Sequence, residues 1–380
     1  MKKVFIHIGT EKTGSTTLQH FLESNEANLV RHQFSFLCDQ DKGYFFRSPD
    51  GRMAGHFPVA ACFSKTCPEY LPETHFKPRD ALFDDLLADI ERTAGHVVLS
   101  AEHFSSRLRS ANDIRYLKEA LSAYDTHVVV YVRPQYEMLT SSYNTGVQCG
   151  RRDPFFYSED VRADPYFNHY ALVKLWSGVF EPGKIIVRNF NSLIQRDIRK
   201  DFLTIIGIDH QYGFSFESNK NESLNAKHIE LIRQANQHIP VFEECSSSVE
   251  WQLYCRARGK LAEISGLEGP RISEILSHDD MIRISELFND DNRALELEFM
   301  EPGALDNWAV NSHDSQNAAD LNVSPAELSF ATAEMAIISA RLEERIESLR
   351  SELGRVYSST SWRATGFLRG FSALVRKMIH

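Results

Sequence analysis

The densest chemistry in the chain lies in nine consecutive residues: Gly9, Thr10, Glu11, Lys12, Thr13, Gly14, Ser15, Thr16 and Thr17. They follow a short apolar run and precede a helical pattern. Between a strand and a helix, successive backbone N–H groups can form a concave nest for an anion, and the positive helix end adds to it. Lys12 supplies a point charge, and the hydroxyls of Thr13, Ser15, Thr16 and Thr17 supply further donors. That is more than a helix cap requires. The ligand such a loop fits is a phosphate or a sulfate. A nucleoside-triphosphate loop reads G-x-x-x-x-G-K-[ST], with lysine after the second glycine. Here Lys12 stands before Gly14, and the run ending at Ser100 lacks the strand-end aspartate that holds magnesium in such enzymes.

Two further groups could work with that loop. Arg133 ends the apolar run that begins at His127, and Ser141 follows eight residues later. Ligands of open α/β sheets bind beyond the carboxyl ends of the strands. A guanidinium there can grip a phosphate through two parallel bonds, and Ser141, two helical turns along, adds a donor. Glu102 and His103 follow the run His96 to Ser100 and are candidates for taking up a proton. Alternation along a strand leaves only one of them facing the site. His7 lies within the first apolar run and reads as a packed core histidine.

A sheet must bring these residues to one rim. Apolar runs at Val4–Ile8, His96–Ser100, His127–Val132 and Lys184–Arg188 read as strands. Helical spacing follows Ser15, with Leu18, Phe21, Leu22 and Leu29 on one face. Further helices are expected over Asp84–Arg92, Asp113–Ala123, Gln135–Asn144 and Ile194–Ile206. Strands alternating with helices predict an α/β fold, a parallel sheet flanked by helices. Residues 38–80, broken by prolines, read as an irregular functional loop. Together with 145–170 they could wall an acceptor cleft, where Phe155, Phe156, Tyr157, Tyr166, Phe167 and Tyr170 stack on sugar rings. Arg107, Arg109, Arg151 and Arg152 would attract an anionic acceptor.

The organisation expected is a domain over 1–310, a polar linker over 311–323, a coiled-coil-like helix over 324–357 and a basic amphipathic tail over 358–380. Ser324 and Pro325 form a cap with proline at the first helical position. Leu328, Met335, Leu342, Leu349 and Val356 then recur every seven residues, with Thr332, Ser339, Ile346 and Leu353 as the companion seam. Two readings stay open: a short coiled coil making a homodimer, or an amphipathic helix docked on its own domain. The tail carries Trp362, Phe367 and Phe371 among Arg363, Arg369, Arg376 and Lys377, and fits either an anionic membrane surface or a partner.

The formal net charge is −10 and the pI ≈ 5.9, which excludes a generic nucleic-acid binder. No apolar run approaches the roughly 18 residues needed to cross a bilayer, and the start lacks a signal-peptide pattern, so a cytoplasmic location is expected. The cysteines form no C-x-x-C pair, so thiols rather than a metal site are expected.

Residues 6–19 resemble the 5′-phosphosulfate loop of the sulfotransferase family, whose donor is 3′-phosphoadenosine 5′-phosphosulfate (PAPS). Val130, Tyr131, Val132, Arg133 and Pro134, with Ser141 and Tyr143, resemble its 3′-phosphate motif. The resemblance spans residues 1–300 and implies a P-loop-like sulfotransferase fold working without a catalytic metal. It implies that Lys12 stabilises the bridging oxygen of the leaving nucleotide. Thr13, Gly14, Ser15, Thr16 and Thr17 would hold the 5′-phosphate, and Arg133 and Ser141 the 3′-phosphate. Residues 218–224 resemble the segment that closes over the adenosine 3′-phosphate, without its glycines, and make Lys220 a contact. Members acting on saccharides use a glutamate comparable to Glu102; cytosolic members use a histidine, for which His103 stands. Residues 356–369 resemble the tail of bacterial surface-polysaccharide enzymes, with Gly366 and Phe367 where proline usually stands. This implies a bacterial saccharide acceptor and peripheral contact with the inner membrane or an assembly complex. Two other classes compete: a magnesium-dependent nucleotide kinase or triphosphatase, and a non-enzymatic scaffold of that complex.

Overall fold

The computed structural model describes residues 1–47, 54–62, 79–193, 195, 197–209, 212–216, 224–245, 247–264, 267–310 and 323–358. The first half runs β1 (Lys3–His7), α1 (Ser15–Ser24), α2 (Glu26–Arg31), β2 (Phe34–Phe36), β3 (Phe46–Arg47), β4 (Ala54–Gly55), α3 (Phe57–Ala61), α4 (Arg79–Arg92), β5 (His96–Ser100), α5 (His103–Arg107), α6 (Ala111–Ala120) and β6 (Asp125–Val132). After it come α7 (Gln135–Gln148), α8 (His169–Phe180), β7 (Ile185–Asn189), α9 (Ile198–Ile205), α10 (Ala226–Ala235), α11 (Ser248–Ala262), α12 (His278–Leu287), α13 (Asn289–Phe299) and α14 (Pro325–Ser358).

Five strands form one parallel sheet in the order β2-β5-β1-β6-β7. The three interior strands are the most apolar: Val4 and Ile6 of β1, Val97 to Leu99 of β5 and every residue from Val128 to Val132 of β6 are fully buried. Each buried aliphatic side chain contributes about 1.5–3 kcal/mol, which holds β5, β1 and β6 inside the sheet, covered on both faces. The chain leaves β1 toward β2 and leaves β6 toward β7. Their carboxyl ends therefore flank the crevice where connections run in opposite directions, the place ligands occupy in such sheets.

The expected α/β architecture is present, with some differences in detail. β2 spans three residues, too few for a periodic signal, and pairs with β5 at the sheet edge. The described part of 38–80 is core rather than loose loop. Tyr44, Phe45, Phe46 and Phe57 are buried around the β3–β4 hairpin and α3. Their prolines and aromatics hide periodicity because the elements are only two to five residues long.

Apolar side chains gather in two clusters. One surrounds the sheet; the other joins Leu139, Tyr143 and Val147 of α7 to α10, α12 and the start of α14. α14 is one continuous helix over the expected span. Its beginning docks on the second cluster through buried Ala331 and partly buried Met335, and Glu327 pairs with Lys227. Leu328 of the expected seam is exposed there instead. Side chains at 340–346, the 311–322 linker and the tail from 359 lie outside the described residues. Among the described residues, no helix is long and apolar enough to cross a membrane.

Candidate active site

The loop after β1 is tied to β6 on one side and to the segment that follows β5 on the other. On one side Ile8 N donates to Val129 O at 2.9 Å, Tyr131 N to Gly9 O at 2.7 Å and Thr10 N to Tyr131 O at 2.9 Å. On the other, Ala101 N donates to His7 O at 3.0 Å and Ser105 N to Ile8 O at 3.3 Å. The residues that follow β5 and β6 are thereby brought against the loop. Gly9 has φ 103°, and a Cβ there would lie within 3.3 Å of the Ser105 hydroxyl and of Glu102 Cα and Cβ. Only glycine permits both the turn and that approach.

The loop carries its own scaffolding. Thr13 Oγ1 donates to Thr10 O at 2.7 Å and Ser15 Oγ to the same carbonyl at 3.2 Å. The Thr13 proton therefore shapes the loop, the Ser15 hydroxyl is shared between that carbonyl and Glu102, and Thr16 and Thr17, both partly buried, are the neighbouring hydroxyls left to meet a ligand. Gly14, φ 84°, precedes α1 and gives it no side-chain cap. The first-turn N–H groups of α1 need acceptors from elsewhere, which an anion would supply. Lys12 is exposed and has φ 64°, a left-handed conformation costing about 1–2 kcal/mol for a residue with a Cβ.

Arg133 helps to hold that conformation. Its Nη1 donates to the Lys12 carbonyl at 2.6 Å. Its Nε donates to Glu137 Oε2 at 3.1 Å, and Nη2 bonds the same oxygen. Glu137 Oε1 accepts from Asn191 Nδ2 at 3.0 Å, and the Arg133 carbonyl bonds His169 Nε2 at 2.8 Å. The guanidinium, on a side chain 14% exposed, is thus held between the Lys12 carbonyl and the Glu137 carboxylate on the same rim as Lys12. A cavity of about 400 Å³ begins at the next two residues, Pro134 and Gln135, and is lined also by Asn292, Arg293 and Trp308.

Glu102 and His103 differ from the strand-alternation expectation in cause. β5 ends at Ser100, and Glu102 is already helical, φ −65°, at the start of α5. His103 turns inward: it is 6% exposed, stands edge-on to Phe57 with centroids 4.7 Å apart, and burial lowers its pKa to about 3. Glu102 faces the loop. Burial first, then the Glu11 carboxylate, push it up to about 7, while the Lys12 ammonium and a Ser15 hydrogen bond oppose the rise. Glu11 is itself held, accepting from Tyr166 Oη at 2.7 Å. His7 is fully buried, bonded through Nδ1 to Ser100 Oγ at 2.8 Å, with its pKa lowered to about 3 by burial, as expected of a core histidine.

The structure thus brings together Lys12, Thr13, Gly14, Ser15, Thr16, Thr17, Glu102 and Arg133. Ser141 lies partly buried on α7, where its neighbour Ser142 donates to Tyr166. Lys220 lies outside the described residues. Several of the expected acceptor groups bond or pack within the protein. Arg109 pairs with Asp164 at 3.2 Å, Arg152 with Glu244 at 2.7 Å, and Arg151 lies over the Tyr143 ring at 5.0 Å. Phe155 packs on Tyr143, Phe167 on Tyr166, and Tyr170 bonds Glu298; Phe156 is 72% exposed. Sequence reasoning gave no role to Glu11, Glu137 or His169. Glu137 was signalled by its i, i+4 spacing from Arg133. The other two meet the site only through tertiary contact.

No family model and no curated protein matches the chain. Among solved structures it is similar to a sulfotransferase from Alicyclobacillus acidocaldarius, at a TM-score of 0.41 and 14% identity, over 81% of this chain and 99% of that one.

Proposed function

We propose that the chain is a sulfotransferase that carries a sulfuryl group from PAPS to a hydroxyl or amine of a saccharide, a bacterial surface polysaccharide or its precursor. The observation that carries this reading is the bond from the Arg133 guanidinium to the Lys12 carbonyl. It brings a second cationic side chain against the loop that precedes an uncapped helix start, and a nucleotide bearing phosphates at both ends of its ribose would use both charges. The donor set fits such a group: backbone N–H, ammonium, guanidinium and hydroxyl, all favouring anions. When bound, the donor supplies the sulfuryl group and a nucleotide able to leave. First-turn N–H groups of α1 with Thr16 and Thr17 would hold the 5′-phosphate, and Arg133 and Ser141 the 3′-phosphate, with Lys220 a further contact. Lys12 would neutralise charge growing on the bridging oxygen, and Glu102 would take the acceptor proton. His103 is the alternative proton acceptor, disfavoured by its burial against Phe57. The saccharide acceptor rests on the glutamate and on the tail motif. A peripheral position at the inner membrane rests on the tail alone.

The test is a thermal melt in the absence of magnesium. Adenosine 3′,5′-bisphosphate at 100 times its Kd is expected to stabilise the fold by about 2.7 kcal/mol. A melt it does not move, or moves no more than adenosine 5′-phosphate does, would remove the reading. Comparing the surface glycan of wild-type and deletion strains by mass spectrometry then tests the acceptor: the added sulfate should vanish with the gene.

The carboxylate neighbours give a pH prediction. Glu102 accepts a proton only when ionised, so kcat/KM is expected to fall as pH drops through about 7. Glu11→Gln removes the neighbouring negative charge and should move this limb roughly one unit toward acid. A limb that stays in place would dissociate Glu11 from the base. Stability runs the other way. Between 4.5 and about 7 the folded carboxyl keeps a proton that the unfolded one has lost, so this group favours the fold at the acid end.

A further inference from the structure

Toward its end α14 stands in solvent. Every residue from 347 to 355 is exposed, with Leu349 at 47% and Leu353 at 50%. The stretch from Ser339 to Val356 spans about 27 Å of helix. Its heptad positions, read from the sequence along this continuous helix, are Ser339, Leu342, Ile346, Leu349, Leu353 and Val356. A solvated helix with two leucines half exposed on one seam is a surface awaiting a partner.

The charges beside the seam identify that partner and its direction. In the a/d register, Leu342, Leu349 and Val356 are d, and Ser339, Ile346 and Leu353 are a. Glu343 and Arg350 are then e positions, and Arg345 and Glu352 are g positions. In a parallel pair, g meets the e position five residues on, so Arg345 would face Arg350 of the second copy twice over. Turned antiparallel about the point between Glu347 and Ser348, the stretch is complementary to itself. Leu349 meets Ile346, Leu342 meets Leu353, and Ser339 meets Val356. Glu343 then faces Arg350, and Arg345 faces Glu352, each pair occurring twice. We infer that residues 339–356 of α14 form an antiparallel coiled coil with a second copy of this chain, which sets the two sheet-bearing bodies at opposite ends of the bundle.

Sedimentation equilibrium of the full chain tests this without reference to activity. The wild type should be a dimer. Arg350→Glu, on an exposed helix position, should raise the dimer Kd about tenfold or more, because two attractive pairs become repulsive. Glu343→Arg with Arg350→Glu should return it to within about threefold of wild type. A wild-type monomer at about 100 μM would overturn the inference. So would a tighter dimer in Arg350→Glu, the outcome a parallel pair requires.

Discussion

Glu102→Gln is expected to lower kcat at least about 100-fold while donor affinity stays within about threefold. Glutamine keeps the volume of the side chain and can still meet the Ser15 hydroxyl that bonds Glu102. What it loses is the capacity to hold a proton at the place where burial and Glu11 have raised the carboxyl to about 7. A base with that affinity is ionised in a large fraction of molecules near neutrality and binds a proton more firmly than an ordinary carboxylate. The residual rate should also lose its dependence on pH through that range. Turnover close to wild type would transfer the role to His103, which would first have to be freed from Phe57. Steady-state rates with direct donor titration separate these outcomes.

The second large effect is at Arg133. Arg133→Ala should weaken binding of adenosine 3′,5′-bisphosphate about 100-fold and abolish its advantage over adenosine 5′-phosphate, the loss of charge-assisted bonds worth roughly 1.5–3 kcal/mol. The substitution also takes the Arg133 charge away from Glu137, whose side chain is 13% exposed and keeps its bond from Asn191. Removing one partner of such a pair destabilises the fold on its own account. Arg133→Ala combined with Glu137→Gln relieves that destabilisation, because the carboxylate is gone. It should recover the melting temperature without recovering the nucleotide. Calorimetric titration of both nucleotides into both variants reads this directly. Equal affinity of the wild type for the two nucleotides would remove Arg133 from the 3′-phosphate.

How far the sequence reached depends on the length scale of each signal. β1, β5 and β6 were legible because a strand buried on both faces must be apolar throughout, and edge strand β7 because its first three residues are β-branched aliphatics. β2 and the β3–β4 hairpin were not, since two or three residues cannot show a period. The loop was legible for the same local reason: glycines, lysine and hydroxyls are adjacent in the chain. Which hydroxyls serve the ligand was not, because Thr13 and Ser15 turn out to bond a carbonyl three and five residues away. Tyr166 donates its hydroxyl proton to Glu11, a contact across 155 residues that no local pattern encodes. The ion pairs of Arg109 with Asp164 and of Arg152 with Glu244 likewise join residues far apart in the chain, so no local pattern shows them.

The backbone bonds that tie residues 7–10 to β6 and to the segment after β5 have a thermal consequence. The base of the cradle cannot loosen unless the middle of the sheet parts with it. Heating should therefore produce no inactive yet folded species. Turnover should persist up to the melting transition and vanish within it, making catalytic rate a gauge of whether the central strands are still joined.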